Sequence, residues 1–162
     1  RGENELSKFY QILNTIPIKS LVKAEYELKT QLDGVNFIGY IDLVIKNDDG
    51  TYKLIDYKTG KPSTIVSIAP EKEHEDYYNQ LCLYKYYFEK INNAKVSKTG
   101  FIYTLKPDKP IEKDYTKEET QSVLNKFNNA IKRIENHDFE PTYNKTFCNI
   151  CGYRAFCKTN TI

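Results

Sequence analysis

Gly39-Tyr40-Ile41-Asp42 and, a short way on, Leu54-Ile55-Asp56-Tyr57-Lys58-Thr59-Gly60 decide how this chain is read. Between them lies Asn47-Asp48-Asp49-Gly50, a turn-forming cluster. A loop of Asp48, Asp49 and Gly50, with Gly50 in the left-handed conformation that such hairpins favour, pairs Asn47 with Thr51. Counting outward places Asp42 opposite Asp56. Directly opposed residues share a face and stand roughly 5 Å apart at their Cβ atoms. Lys58 follows Asp56 at the next position of the same face.

Two carboxylates opposed in this way repel unless something positive sits between them. A hard divalent cation bound by oxygens is the natural occupant, Mg2+ first and Mn2+ next. The competing reading makes Asp42 and Asp56 exposed strand residues with Lys58 as their salt-bridge partner. The neighbours Phe37, Ile38, Ile41, Leu43, Val44, Leu54 and Ile55 argue against it. Runs so apolar indicate strands covered on both faces, where a buried charge needs a reason.

The 162 residues suffice for one domain with a real core. Fourteen Tyr and eight Phe suit a mixed sheet-and-helix fold. No stretch approaches the about 18 apolar residues of a membrane span, and no leader of the secreted kind is visible, so a cytoplasmic location is expected. The chain starts without Met and reads as trimmed, or as a piece of something larger. With 24 basic and 22 acidic residues, net charge neither supports nor excludes nucleic acid. Lys58, Lys61, Lys85, Lys106, Arg154 and Lys158 could form a local basic track; solvated lysines are the default for all but Lys58.

Leu6, Phe9, Tyr10 and Leu13 recur at helical spacing, giving a first helix that ends before Pro17. Residues 20–31 read as a strand, and Leu32-Asp33-Gly34 turns into the next. A second helix runs from about His74 to Ile91, its acidic start favoured by the helix dipole. Residues 99–105 form a fourth strand, and Thr116 with Glu119 makes a capping box for a last long helix. On the second helix Gln80 and Tyr84 share a face, where an amide and a phenol could position Lys58 or a phosphate, although Leu81, Tyr84, Phe88 and Ile91 also form a packing stripe. Cys148-x2-Cys151-x5-Cys157 closes the chain, and three thiols this close imply a soft metal centre more readily than a disulfide. Cys82 reads as a small core residue, and His74 and His137 as surface positions.

Gly-x-Ile-Asp42, Asp56-Tyr-Lys58-Thr-Gly and Gln80-x-x-x-Tyr84, in that order, resemble the RecB-type branch of the PD-(D/E)xK nucleases from about Glu25 to Cys157. The resemblance implies an α/β fold: a restriction-endonuclease-like αβββαβ core with a mixed central sheet flanked by helices, then a C-terminal helix and a Cys-rich tail. Domain bounds follow as 1–140 for the nuclease core and 141–162 for the tail packed on it.

It further implies a metal-dependent DNA nuclease, working as an exonuclease in recombination, repair or end processing, with DNA as partner and a helicase or recombination protein beside it. Asp42 and Asp56, with the Tyr57 carbonyl as a third ligand, are expected to hold Mg2+ or Mn2+, and Lys58 to handle the attacking water. Gln80, Tyr84 and Glu25 are expected to shape the site, Glu25 because similar nucleases carry a Glu on the first strand. The family draws a further ligand from the first helix, where Glu5 is the better candidate in the absence of His. The tail is similar to the C-terminal part of the iron–sulfur staple of RecB-type and CRISPR adaptation nucleases. That suggests a [4Fe–4S] cluster on Cys148, Cys151 and Cys157 with its fourth ligand outside this chain; a zinc site and three free thiols are the alternatives. The rival to a nuclease is an inactive nucleic-acid-binding or structural module of a larger helicase–nuclease assembly.

Overall fold

The computed structural model describes residues 2–32, 34–59, 75–141 and 143–157. The chain packs as two units, Arg1–Leu124 and Asn125–Ile162. The first unit contains α1 (Gly2–Leu13), β1 (Leu21–Leu32), β2 (Val35–Lys46), β3 (Tyr52–Lys58), α2 (Glu75–Asn92), β4 (Val96–Tyr103) and β5 (Lys106–Lys113). Helix α3 (Lys117–Glu135) starts in the first unit and runs into the second, where α4 (Lys145–Ile150) follows. The strands form one sheet in the order β1-β2-β3-β4-β5, with β3 and β4 parallel and the other neighbours antiparallel. This is the mixed sheet with flanking helices that the αβββαβ reading requires.

The β2–β3 hairpin is set by its turn chemistry. Asn47 N–H donates to Thr51 O at 2.8 Å, and Gly50 takes φ +82°, a value open to glycine without strain. Asp49 Oδ1 accepts from the Thr51 N–H at 2.9 Å and from its hydroxyl at 2.6 Å, which locks the loop. The pairing runs from Lys46↔Tyr52 to Leu43↔Ile55, the register that the turn dictates. The ladder ends there, one position short of Asp42 and Asp56.

One face of the sheet buries Leu43, Ile55 and Ile102 against Phe9 and Leu13 of α1, with Ile16, Ile45 and Tyr57 around them. Leu6 and Tyr10 are each 66% exposed, so only half of the expected α1 stripe faces inward. On the α2 side Leu81, Tyr84, Tyr87 and Phe88 are buried. Phe88 meets the rings of Tyr26 and Tyr52, both at 5.3 Å, and Tyr87 stacks on Phe37 at 4.1 Å. Burial of each such ring contributes about 1.5–3 kcal/mol, which makes α2 a firm platform for what it carries. Cys82 is buried in the same helix, as a small core residue should be.

Two expectations need correction. Ile38 and Tyr40 are 57% and 55% exposed, so the first half of β2 is covered on one face only and closes on both from Ile41 onward. Residues 106–113, unassigned by the sequence, form β5. Pro107 and Pro110 are tolerated because β5 is an edge strand, where a missing N–H can face away from the ladder. Gly100 admits it closely: a Cβ there would stand 2.7 Å from Ile111 O.

The capping box forms as its spacing predicts. Thr116 N–H donates to Glu119 Oε2 at 2.9 Å, and Glu119 N–H donates to Thr116 Oγ1 at 3.1 Å. The second helix begins at Glu75; His74 lies outside the described residues. Among the described residues no helix is long and apolar enough to cross a membrane. In the second unit Arg133 Nε donates to Asp138 Oδ2 at 2.8 Å, tying the end of α3 to the chain that leaves it.

Candidate active site

The C-terminal end of β3 carries Asp56, Tyr57 and Lys58, with both faces of the strand covered. Asp56 is 6% exposed. Lys58 Nζ lies 2.7 Å from its Oδ2, a close ion pair at the covered end of the strand. Burial pushes the Asp56 carboxyl above its ordinary range, Lys58 pulls it back, and the charge of Asp42 pushes it up again. The net direction is upward: one lysine does not compensate this carboxylate for the water it has lost.

Asp42 meets the same strand from β2. Its Oδ2 accepts the Tyr57 backbone N–H at 2.6 Å. A carboxylate side chain thus takes a main-chain donor just past the last paired residues, Leu43 and Ile55. The Tyr57 phenol points the other way, edge-on to Phe9 at 4.9 Å, and burial together with Asp42 pushes it up to about 12.

Lys58 is held at both ends. Its carbonyl accepts the Thr104 N–H at 3.0 Å, from the turn that joins β4 to β5. Its ammonium stands 4.0 Å from the centre of the Tyr77 ring and 5.5 Å from that of Phe101. Neither aromatic partner was singled out by the sequence. The signal was present, because Tyr77 precedes Gln80 and Tyr84 on one helical face.

Gln80 and Tyr84 are brought together: Gln80 Nε2 donates to Tyr84 Oη at 2.9 Å. The Tyr84 ring rests on Gly39, where an added Cβ would stand 2.6 Å from its Cε1. The glycine of the Gly39-Tyr-Ile-Asp42 stretch therefore exists for α2 to approach the sheet. Glu25 lies on β1 between Ala24, which pairs with Leu43, and Tyr26, which pairs with Ile41, so its place in the register is beside Asp42. Its side chain is exposed and its φ is +49°, an unusual conformation for a residue with a Cβ. Glu5 lies on α1, with its side chain outside what is described. Of the basic track, Lys85 is ion-paired with Asp114 at 2.5 Å, and Lys61 and Lys158 fall outside the described residues.

The donor set of Asp42 and Asp56 suits a hard divalent cation: oxygen ligands, adjacent negative charges, and a buried carboxyl that one lysine does not fully compensate. The tail does not offer a comparable fit. Cys148, Cys151 and Cys157 form no disulfide, and among the described residues no group of three or more His, Cys, Asp or Glu is placed to hold a metal.

The sequence model of the PD-(D/E)XK nuclease superfamily matches residues 8–158. In fold the chain is similar to the crystal structure of SSO0001, with a TM-score of 0.50 at 16% identity, over 95% of this chain and 68% of that one. Identity so low speaks for the fold alone. No curated protein matches the sequence.

Proposed function

The chain belongs to the PD-(D/E)XK nuclease superfamily, and on that premise we propose that it is a Mg2+- or Mn2+-dependent deoxyribonuclease acting from DNA ends. One observation carries the reading. Asp56 is buried, Lys58 Nζ stands 2.7 Å from its Oδ2, and with the charge of Asp42 nearby its carboxyl is still raised above the ordinary range. Two carboxylates and one ammonium at a covered strand end leave an excess of negative charge that a divalent cation would offset.

In this reading Asp42, Asp56 and the Tyr57 carbonyl hold the cation, with Glu5 as the candidate ligand from α1. Bound there, it supplies Lewis acidity toward a phosphate oxygen and lowers the pKa of a water. Asp42 fixes the Tyr57 backbone through the N–H it accepts, and so sets the direction of the neighbouring Tyr57 and Asp56 groups. Lys58 orients the attacking water and offsets charge that builds on the phosphate oxygens. Gln80 and Tyr84 act as a linked pair that shapes the wall of the site, with Glu25 at its margin.

The preference for ends, a role in recombination or repair, a helicase-like partner and a cytoplasmic setting rest on the resemblance of the three motifs to RecB-type enzymes. A soft-metal site at the tail rests on the Cys spacing alone, with at least one ligand from elsewhere; iron and zinc analysis of the purified protein tests it.

The function is tested by incubating end-labelled linear DNA and covalently closed circular DNA with the protein in Mg2+, Mn2+ or chelator. Metal-dependent loss of the linear form with the circle spared is expected. Cutting of the circle contradicts the end preference, and no cleavage by folded protein in either metal contradicts the nuclease.

A further inference from the structure

We propose that Tyr77 is a positioning residue for Lys58, holding its ammonium over the face of the aromatic ring. The inference rests on the nuclease reading of the site and adds to it a residue that none of the three motifs contains.

Lys58 has a four-carbon stem whose ammonium must stay near Asp56 while that carboxylate also serves a cation. An ion pair alone does not fix such a side chain, because the same carboxylate is shared and the stem has many rotamers. The ring of Tyr77 supplies a second, uncharged hold. Nζ lies 4.0 Å from its centroid, well inside the range at which a cation is drawn to the ring quadrupole. Phe101 lies at 5.5 Å from Nζ and is 1% exposed, forming an immobile back wall. Tyr77 leans on Phe101, with ring centres 6.0 Å apart, which sets the angle of the outer ring.

Helix geometry explains how Tyr77 reaches this point. It stands in the first turns of α2, one turn before Gln80 and two before Tyr84. The face that lays Tyr84 on Gly39 therefore lays Tyr77 on Lys58. Tyr77 is 39% exposed, so its replacement does not open the core. What the ring contributes is its face rather than its hydroxyl, so phenylalanine should replace it and leucine should not.

The test uses the complete 162-residue chain and two readouts. The first is a 13C–1H correlation of the Lys58 ε-methylene in metal-free protein, assigned by its loss in Lys58→Arg. An ammonium stacked on a ring carries its methylene into the ring's shielding cone, so the signal is expected upfield in wild type and Tyr77→Phe, and at the ordinary lysine position in Tyr77→Leu. The second is steady-state cleavage of linear DNA in Mg2+. Tyr77→Leu should lower kcat about tenfold with KM unchanged, and Tyr77→Phe should stay within about twofold of wild type.

A Lys58 signal that Tyr77→Leu does not move overturns the proposal. So does a Tyr77→Phe as slow as Tyr77→Leu, which would assign the effect to the hydroxyl, or a change in KM alone, which would make the ring a DNA contact. Failure of the nuclease reading shows separately, as a wild type that does not cleave, and the resonance still decides whether Tyr77 holds Lys58.

Discussion

The Tyr57 backbone N–H is bonded to the carboxylate of Asp42, at 2.6 Å, and not to the backbone of β2. Asp42 is therefore a sheet component and a candidate ligand at once, and the two roles can be separated. Asp42→Ala orphans the Tyr57 N–H and should cost about 1–3 kcal/mol in denaturant unfolding. Asp42→Asn keeps an acceptor for that N–H and should cost less, while Mn2+ binding measured by calorimetry is lost in both. Equal stability of the two variants would mean that the hydrogen bond contributes nothing.

Gly39 and Tyr84 should be coupled. An added Cβ at Gly39 would meet the Tyr84 ring at 2.6 Å, so Gly39→Ala should destabilise by about 1–3 kcal/mol through overpacking. In a Tyr84→Leu background the same change should cost less than half as much, since the obstructing ring is gone. A double-mutant cycle measures the difference, and strict additivity would contradict the contact.

Glu25 holds φ at +49° within a strand. Left-handed backbone costs a residue with a Cβ about 1–2 kcal/mol, so Glu25→Gly should match or exceed wild-type stability and Glu25→Val should fall below it. If Glu25 also serves the site, Glu25→Gly will be stable yet slow. Thermal unfolding and a cleavage assay on one preparation separate strain from chemistry.

Asp56 gives the protein a pH signature. Its carboxyl is raised above the ordinary 3.8, chiefly by burial, so folding favours its protonated form. Whatever stability protonation confers is complete below pH 3.8 and is lost as pH rises through the higher folded value. At neutral pH without metal, Asp56→Asn should therefore melt above wild type, and the gap should close on acidification. Mg2+ should raise the melting temperature of wild type and leave Asp56→Asn unmoved. A variant that melts below wild type at pH 7 would show that the Lys58 pair outweighs the burial cost.

The sequence was most legible where local chemistry dictates geometry. Asn47 through Thr51 set the hairpin register because Asp49 and Gly50 admit few other conformations, and the Thr116–Glu119 capping box follows from spacing alone. That register reaches Leu43 and Ile55, the residues next to the two carboxylates. What stayed hidden depends on tertiary approach. Strand β5 was missed because Pro107 and Pro110 argue against a strand until its edge position is known. The exposure of Ile38 could not be read from an unbroken apolar run. Tyr77 looked like one aromatic among many, and only the lean of α2 across β3 and β4 puts its ring on Lys58.

The most direct test of the account is single-turnover cleavage of end-labelled linear DNA in saturating Mg2+ by wild type, Asp56→Asn and Lys58→Ala, with DNA binding measured on the same samples. Cleavage by wild type should fall at least about a hundredfold in each variant while DNA binding persists, as expected when groups that act on the transition state are removed. Either variant cleaving at the wild-type rate would contradict the assignment of Asp56 and Lys58 to the chemistry.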